Sequence, residues 1–358
     1  MQSRSGRSQK IRNNYMKIYL LTAALCVVVA LILAITLPRL GLVGKKPQET
    51  VPPSPTPSVS EGSPTISETP TPSSPESETP SPSDPGPAIP KIPVTMADLT
   101  ATNPLLIVNA EHPFNPAKAL NIVNMYNVKD TSHGVNRLQF AGSTALLNEE
   151  AFLALQELQF VMGDAHEGYC LFTKTCQITV GENMVDCDCS EKTLDDATKS
   201  PHSTGYVVDL RLYKKTDGNT SYSYFQSPGV QDVAATVLKN CAKFGWIQSW
   251  SATNLAANGK TANDQGEFRY VGVPHALYIM ENKMTFDGYM EAVRQTNYMK
   301  PLQVIDAESQ TVYKIYFVSV EEAMDPAKGG VPVPAGSDYK IQGNGVDGFI
   351  VTLTEKTA

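Results

Sequence analysis

Ser200-Pro201-His202-Ser203-Thr204-Gly205-Tyr206-Val207-Val208-Asp209-Leu210 is the stretch on which the reading of this chain turns. A histidine and an aspartate stand seven positions apart in it. Gly205 between them permits a tight loop, because glycine adopts positive φ at no steric cost. The run that follows is β-branched and apolar and predicts a strand over residues 206–212. A neutral imidazole and a carboxylate are two of the common protein ligands for zinc. An apolar strand is a rigid mount for one of them. A satisfied loop histidine and a buried aspartate would give the same spacing, so this stretch alone does not separate the two readings.

Outward from it, helical and strand patterns alternate. Residues 148–161 place Phe152, Leu153, Leu155, Leu158 and Phe160 at helical spacing behind a Glu-rich first turn. Residues 231–244 form a second amphipathic pattern with Val233, Val237, Leu238 and Cys241, and residues 286–296 a third helix. Leu105-Leu106-Ile107-Val108 and residues 268–271 read as short buried strands. After Pro301 the period changes to two over residues 312–318, and a strand over 348–353 follows an Asn344-Gly345 turn signal. The folded part therefore starts near Met96. It is divided here into a main domain, 96–300, and a small β appendage, 301–358.

A second stretch lies downstream: Asp264-Gln265-Gly266-Glu267-Phe268-Arg269-Tyr270-Val271-Gly272-Val273-Pro274-His275-Ala276. Together the two stretches resemble the zinc D-alanyl-D-alanine carboxypeptidase family, which includes the vancomycin-resistance D,D-carboxypeptidases. That family carries Ser-x-His-x-x-Gly-x-Ala-x-Asp and then Glu-x-Trp-His-x-Arg-Tyr-Val-Gly-x-x-His-Ala. Ser200, His202, Gly205 and Asp209 match the first motif, with Val207 in place of Ala. Arg269, Tyr270, Val271, Gly272, His275 and Ala276 match the second. The opening at Leu106 to His112, the helix around Leu153 and Gly245-Trp246-Ile247 also look like the family.

The resemblance covers about residues 100–356. It implies an α+β, zinc D,D-peptidase (hedgehog/D,D-peptidase-like) fold with a small C-terminal β appendage. It implies zinc as cofactor and the D-Ala-D-Ala end of a peptidoglycan stem peptide as partner. Carried over residue by residue, it puts the metal on His202, Asp209 and Glu267 and the catalytic base at Asp264. Ser200, Arg269, Tyr270 and His166 fall on the substrate side.

The departures from the motif lie at the chemistry. The family's third zinc ligand, a His, falls on Glu267, its catalytic Glu on Asp264 and its Trp on Gly266. The family's Ser-Gly-Tyr-Arg-Ser, whose Arg receives the substrate carboxylate, corresponds to Met162-Gly163-Asp164-Ala165-His166-Glu167, which has no Arg. A further frequent Arg is replaced in Gln248-Ser249-Trp250. One imidazole with two carboxylates cancels the charge of a divalent ion and makes it a poorer Lewis acid. An oxygen-rich set also suits Mg, Ca or Mn. Asp264 is one methylene shorter than Glu, so its carboxylate falls short of the metal-bound water by about 1 Å, a displacement worth roughly 100-fold. His166 is the cation left near the lost Arg. His275 is open to two readings, a replacement ligand or a packed core residue.

Upstream of the folded part, residues 1–17 carry Arg4, Arg7, Lys10, Arg12 and Lys17 and no acid, and residues 18–37 contain no charge. Twenty uncharged, predominantly apolar residues are enough to cross a hydrocarbon core of about 30 Å as a helix. The alternative is a cleaved signal peptide, but its apolar region is normally about 7–15 residues before a small-residue cleavage site. The expectation is an uncleaved anchor with a cytoplasmic basic tail (1–17), a transmembrane helix (18–37) and the C-terminal bulk outside the cell membrane. Residues 38–95 form a Pro/Ser/Thr-rich stalk, with fifteen of the chain's 26 prolines between Pro47 and Pro93. Such a composition stays extended, on the order of 140 Å if fully so.

The chain's formal charge is −7 and its first 17 residues carry +5, which leaves −12 on the rest and argues against nucleic acid as a partner. Cys170, Cys176, Cys187, Cys189 and Cys241 lie beyond the anchor. Disulfides, free thiols and a structural metal site remain open for them, and an odd number leaves at least one outside any intrachain pair. Three functions follow: a working metallo-D,D-carboxypeptidase, a pseudoenzyme that binds wall peptides or protein, and a scaffold that keeps only the fold.

Overall fold

The longest helix begins for a local reason. In the computed structural model, which describes residues 89–128, 138–140, 145–174, 198–216, 219–258, 260–327 and 329–356, Asn148 accepts the backbone N–H of Glu150 at 2.9 Å and of Ala151 at 3.5 Å. Glu149 and Glu150 place carboxylates at the positive end of the helix dipole. Helix α1 (Glu149–Ala165) then buries Phe152, Leu155, Leu158 and Met162, while Leu153 turns outward. The second expected helix is shorter than its pattern: α2 (Gln231–Asn240) tightens into a 3-10 turn over Cys241–Phe244 and stops at Gly245.

Both helices cover one face of a six-stranded sheet. Its strands are β1 (Gln139–Phe140), β2 (Tyr169–Lys174), β3 (Val207–Thr216), β4 (Asn219–Ser223), β5 (Trp246–Gln248) and β6 (Glu267–Tyr270). The order is β1-β2-β3-β6-β5, with β4 paired to β3. Only β1 and β2 run parallel. Alternation along β3 sends Val208, Leu210 and Leu212 into the core with Phe152, Leu155 and Leu158. Val207 and Asp209 are thereby directed to the opposite face. The antiparallel register sets Asp209 across from Glu267 and Val207 across from Arg269. The face left bare by α1 and α2 thus receives the chemistry-bearing residues.

Helices α3 (Val273–Glu281) and α4 (Phe286–Arg294) connect this sheet to a second one. That sheet is built from β7 (Leu302–Asp306), β8 (Thr311–Ser319), β9 (Asp338–Gly343) and β10 (Gly348–Lys356), antiparallel in the order β7-β8-β10-β9. Ile247, Val271, Ile279 and Tyr289 share one cluster with Val304, Ile315 and Ile350. The strands after residue 301 are therefore packed into a core common to the rest, and Arg294 Nε reaches Asp347 at 2.8 Å across the junction. Lys91–Ile92, within the stretch assigned to the stalk, already pairs with Val331–Pro332.

One expected strand is not a strand. Leu105, Leu106 and Val108 are buried, but the backbone there makes no sheet ladder. Its carbonyls are taken instead by a side chain, described below, and Ile107 N–H donates to the Asn344 carbonyl at 2.9 Å. Among the described residues no helix is long and apolar enough to cross a membrane. Residues 18–37, Cys176, Cys187, Cys189 and the stalk up to residue 88 lie outside the described residues. Cys241 is a buried free thiol, its pKa pushed up to about 12 by burial.

Candidate metal centre

His202 is presented by a 3-10 turn, Pro201–Thr204, whose flanking and internal hydroxyls are all used locally. Ser200 Oγ accepts the His202 N–H at 3.3 Å, Ser203 Oγ donates to the Ser200 carbonyl at 2.7 Å and Thr204 Oγ1 donates to Pro201 O at 2.7 Å. Pro201 presets the first φ of the turn. Gly205 closes it at φ 81°, in the left-handed region where a side chain is strained. Ser200, read on the substrate side, is buried and serves as this cap.

The turn delivers His202 to the bare face of the sheet. One ligand atom each from His202, Asp209 and Glu267 lie within 4.8 Å of one another. His202 Nε2 is 3.8 Å from Glu267 Oε2. A cavity of about 340 Å³ opens beside them, with His202 and Glu267 in its wall. Burial raises the Glu267 carboxyl, but His202, Lys260 and Ser249 outweigh it and hold the pKa down to about 2. Glu267 is therefore ionised at neutral pH, as a ligand must be.

Ligand atoms about 2.0–2.2 Å from a tetrahedral ion stand roughly 3.3–3.6 Å apart. The observed spacings close to that range with small side-chain rotations. The three residues fit one divalent ion, and their one-nitrogen, two-carboxylate set is as hospitable to harder ions as to zinc.

The remaining sequence-predicted residues are placed as follows. Asp264 is not in the cavity wall. Its Oδ2 accepts the Thr261 N–H at 2.6 Å and the Thr261 hydroxyl at 2.8 Å, capping the 3-10 turn Ala262–Gly266. Thr-x-x-Asp is a local capping pattern that the sequence displays, and Thr95-x-x-Asp98 repeats it. Gly266 leaves no room for the family's Trp, since a Cβ there would lie 2.4 Å from the Leu210 carbonyl oxygen.

Arg269 does line the cavity and is 6% exposed. Its Nη2 donates to Pro104 O at 3.1 Å and Leu106 O at 2.6 Å, and the guanidinium lies 3.4 Å from the Phe286 ring centre. Burial lowers its pKa to about 10. Tyr270 donates its hydroxyl to Glu150 at 2.9 Å, and His166 Nε2 sits 2.8 Å from the Thr236 hydroxyl; neither reaches the cavity wall. His275 is packed rather than ligating: Nδ1 meets the Tyr289 hydroxyl at 2.5 Å and Nε2 the Thr352 hydroxyl at 3.3 Å. The wall also includes Trp250, Lys260 and Phe286, to which sequence reasoning gave no role. The one available signal was Ser249-Trp250 standing where the family has an Arg.

No protein-family model matches the chain. The D-alanyl-D-alanine carboxypeptidase of Enterococcus faecium is 27% identical over 116 residues, 32% of this chain and 34% of that protein. The bifunctional D-Ala-D-Ala dipeptidase and D-Ala-D-Ala carboxypeptidase VanXYC of Enterococcus gallinarum is 27% identical over 97 residues, 27% of this chain and 49% of that protein. The chain thus matches a third to a half of the length of these curated relatives. The crystal structure of the vancomycin-resistance D,D-dipeptidase VanXYg with a D-Ala-D-Ala phosphinate analog superposes with a TM-score of 0.51 at 20% identity. It covers 72% of this chain and 96% of that one. The chain is similar to D-Ala-D-Ala carboxypeptidases and dipeptidases, and its α+β architecture is the D,D-peptidase fold.

Proposed function

We propose that this chain is a membrane-held cell-wall protein whose folded part binds the D-Ala-D-Ala end of peptidoglycan stem peptides, with the family's hydrolysis strongly impaired. One observation carries this reading. The three metal-type side chains converge at the edge of a cavity that His202 and Glu267 line, while the residue in the position of the family's base is bound into a helix cap. His202, Asp209 and Glu267 would hold the ion, which when bound would polarise a peptide carbonyl as a Lewis acid. Glu267 supplies a fixed negative charge at that site. His202 is held in place by the turn that Ser200 caps. Asp264 keeps its Oδ2 on Thr261, and a general base is typically worth 10²–10⁴-fold in rate.

The pseudoenzyme reading, a pure peptide- or protein-binding module, is the second one, and the engagement of Asp264 favours it over a working enzyme. The N-terminal composition supports anchoring by residues 18–37, with the stalk 38–95 carrying the folded part away from the membrane.

Metal content of the purified full chain, together with D-Ala release from a pentapeptide ending in D-Ala-D-Ala, tests the reading. Expected is peptide binding with release at least 100-fold below the median enzyme turnover of about 10 s⁻¹. Release at that ordinary rate from a tightly metallated chain refutes impairment. Absence of any peptide binding leaves only the scaffold. Protease added to intact cells should free a fragment cut within residues 47–93; protection until lysis overturns the topology.

A further inference from the structure

The charges around the metal set balance before any ion arrives. An imidazole ligand is neutral, so His202, Asp209 and Glu267 together carry two negative charges. The cavity wall adds a third carboxylate, Asp287, and three cations, Lys199, Lys260 and Arg269. Among the described residues of the site, three carboxylates therefore stand against three cations. A divalent ion seated on His202, Asp209 and Glu267 would leave two positive charges in excess. It would do so beside a partly enclosed cavity, where like charges repel more strongly than in bulk water.

These cations are not equally free to yield. Arg269 is buried, its Nη2 is committed to the carbonyls of Pro104 and Leu106, and its guanidinium lies on the Phe286 ring. Lys260 is half-buried, its backbone N–H donates to the Leu255 carbonyl at 2.9 Å, and its Nζ rests 4.8 Å from the centre of the Trp250 ring. A lysine stem is flexible, so the ammonium can swing aside while the backbone stays. Lys260 also acts on the set itself: after His202, it is the next charge that stabilises the Glu267 carboxylate. Resting on the metal reading above, we propose that Lys260 is a tethered competitor of the metal ion. Its ammonium balances Glu267 when the ion is away and opposes, by like charge, any divalent ion that binds there. The site is thereby kept formed without metal, and metal is held weakly and exchangeably.

The test uses the full chain, stripped with chelator and titrated by calorimetry with zinc and, separately, manganese. Lys260→Met removes the charge and keeps the stem, and it should tighten both ions by about ten- to a hundredfold, the usual reach of one nearby charge on an ionic equilibrium. Lys260→Arg should keep the wild-type affinities. With chelator present, Lys260→Met should melt about 2–4 °C below the wild type, because Glu267 has lost its counter-charge. Saturating zinc should close that gap. A cooperative thermal transition shows that both variants fold. Affinities of Lys260→Met within twofold of the wild type overturn the competitor role and leave the metal reading standing. Equal tightening in Lys260→Arg overturns it too, since the cause would then be packing on Trp250 rather than charge. Tightening for zinc alone would mean an altered donor set, because a charge effect does not distinguish two divalent ions, and also overturns it. If neither ion binds any of the three proteins, the metal reading fails and the competitor role falls with it.

Discussion

His275 makes the acid stability of this protein calculable. It sits in the first turn of α3, 3% exposed, between the Tyr289 and Thr352 hydroxyls. Burial first, and Lys340 second, hold its pKa down to about 3 against an ordinary 6.5. Between those values the unfolded chain binds a proton that the folded chain refuses, so stability falls as pH falls through the window. Each pKa unit is worth about 1.4 kcal/mol, which gives about 3 kcal/mol lost between pH 6.5 and 4.5 and about 5 over the whole window. At roughly 2–4 °C per kcal/mol for a domain of this size, the first figure is about 6–12 °C in Tm.

The assay is urea unfolding of the full chain at pH 7.5 and pH 4.5, for the wild type and His275→Gln. The glutamine carries no titrating proton and retains a polar group toward Tyr289. It should be less stable at pH 7.5, but should lose about 3 kcal/mol less on acidification. Carboxyls held low in the fold, such as Glu267, Asp306 and Asp347, contribute to both proteins and cancel in the difference. Parallel pH profiles for the two would refute the argument that His275 is kept neutral by its burial.

Three further outcomes are expected. Glu267→His replaces a carboxylate 3.8 Å from His202 Nε2 with a second imidazole, and zinc at 100 times Kd should then stabilise the chain by about 2.7 kcal/mol. The zinc-induced rise in Tm should exceed that of the wild type; equal rises would sink the donor-set argument. Asp264→Ala removes a cap and should cost about 1 kcal/mol by urea titration while leaving peptide affinity within about twofold. Lost binding in a folded variant would return Asp264 to the site. Gly266→Ala drives a Cβ to within 2.4 Å of the Leu210 carbonyl oxygen, and the backbone shift should cost roughly 1–3 kcal/mol and weaken metal binding through displacement of Glu267. Unchanged Tm and metal affinity would show that the close approach of that turn to β3 is not needed.

The sequence alone determined what depends on neighbours along the chain. Apolar spacing marked α1, α2 and α4, the period-two run marked β8, and the Asn344-Gly345 signal marked the turn before β10, because those patterns report which side of a local element meets the core. Two motifs in order carried the resemblance from which the fold followed and which named His202, Asp209 and Glu267, three side chains that the fold brings together. The cap at Asp264 was also legible, as Thr261-x-x-Asp264, although the resemblance pointed to catalysis there. Only the tertiary structure decided where the long side chains go. Arg269 spends its guanidinium on carbonyls 163 and 165 residues away, which is why Leu105 to Val108 is buried without being a strand. His166 turns to Thr236, 70 residues distant, and Tyr270 to Glu150, 120 residues distant. Lys260 and Trp250 share a cavity wall with His202 only because β3, β5 and β6 pair side by side. A side chain several bonds long takes the partner that folding brings within about 3 Å, and no local periodicity carries that information.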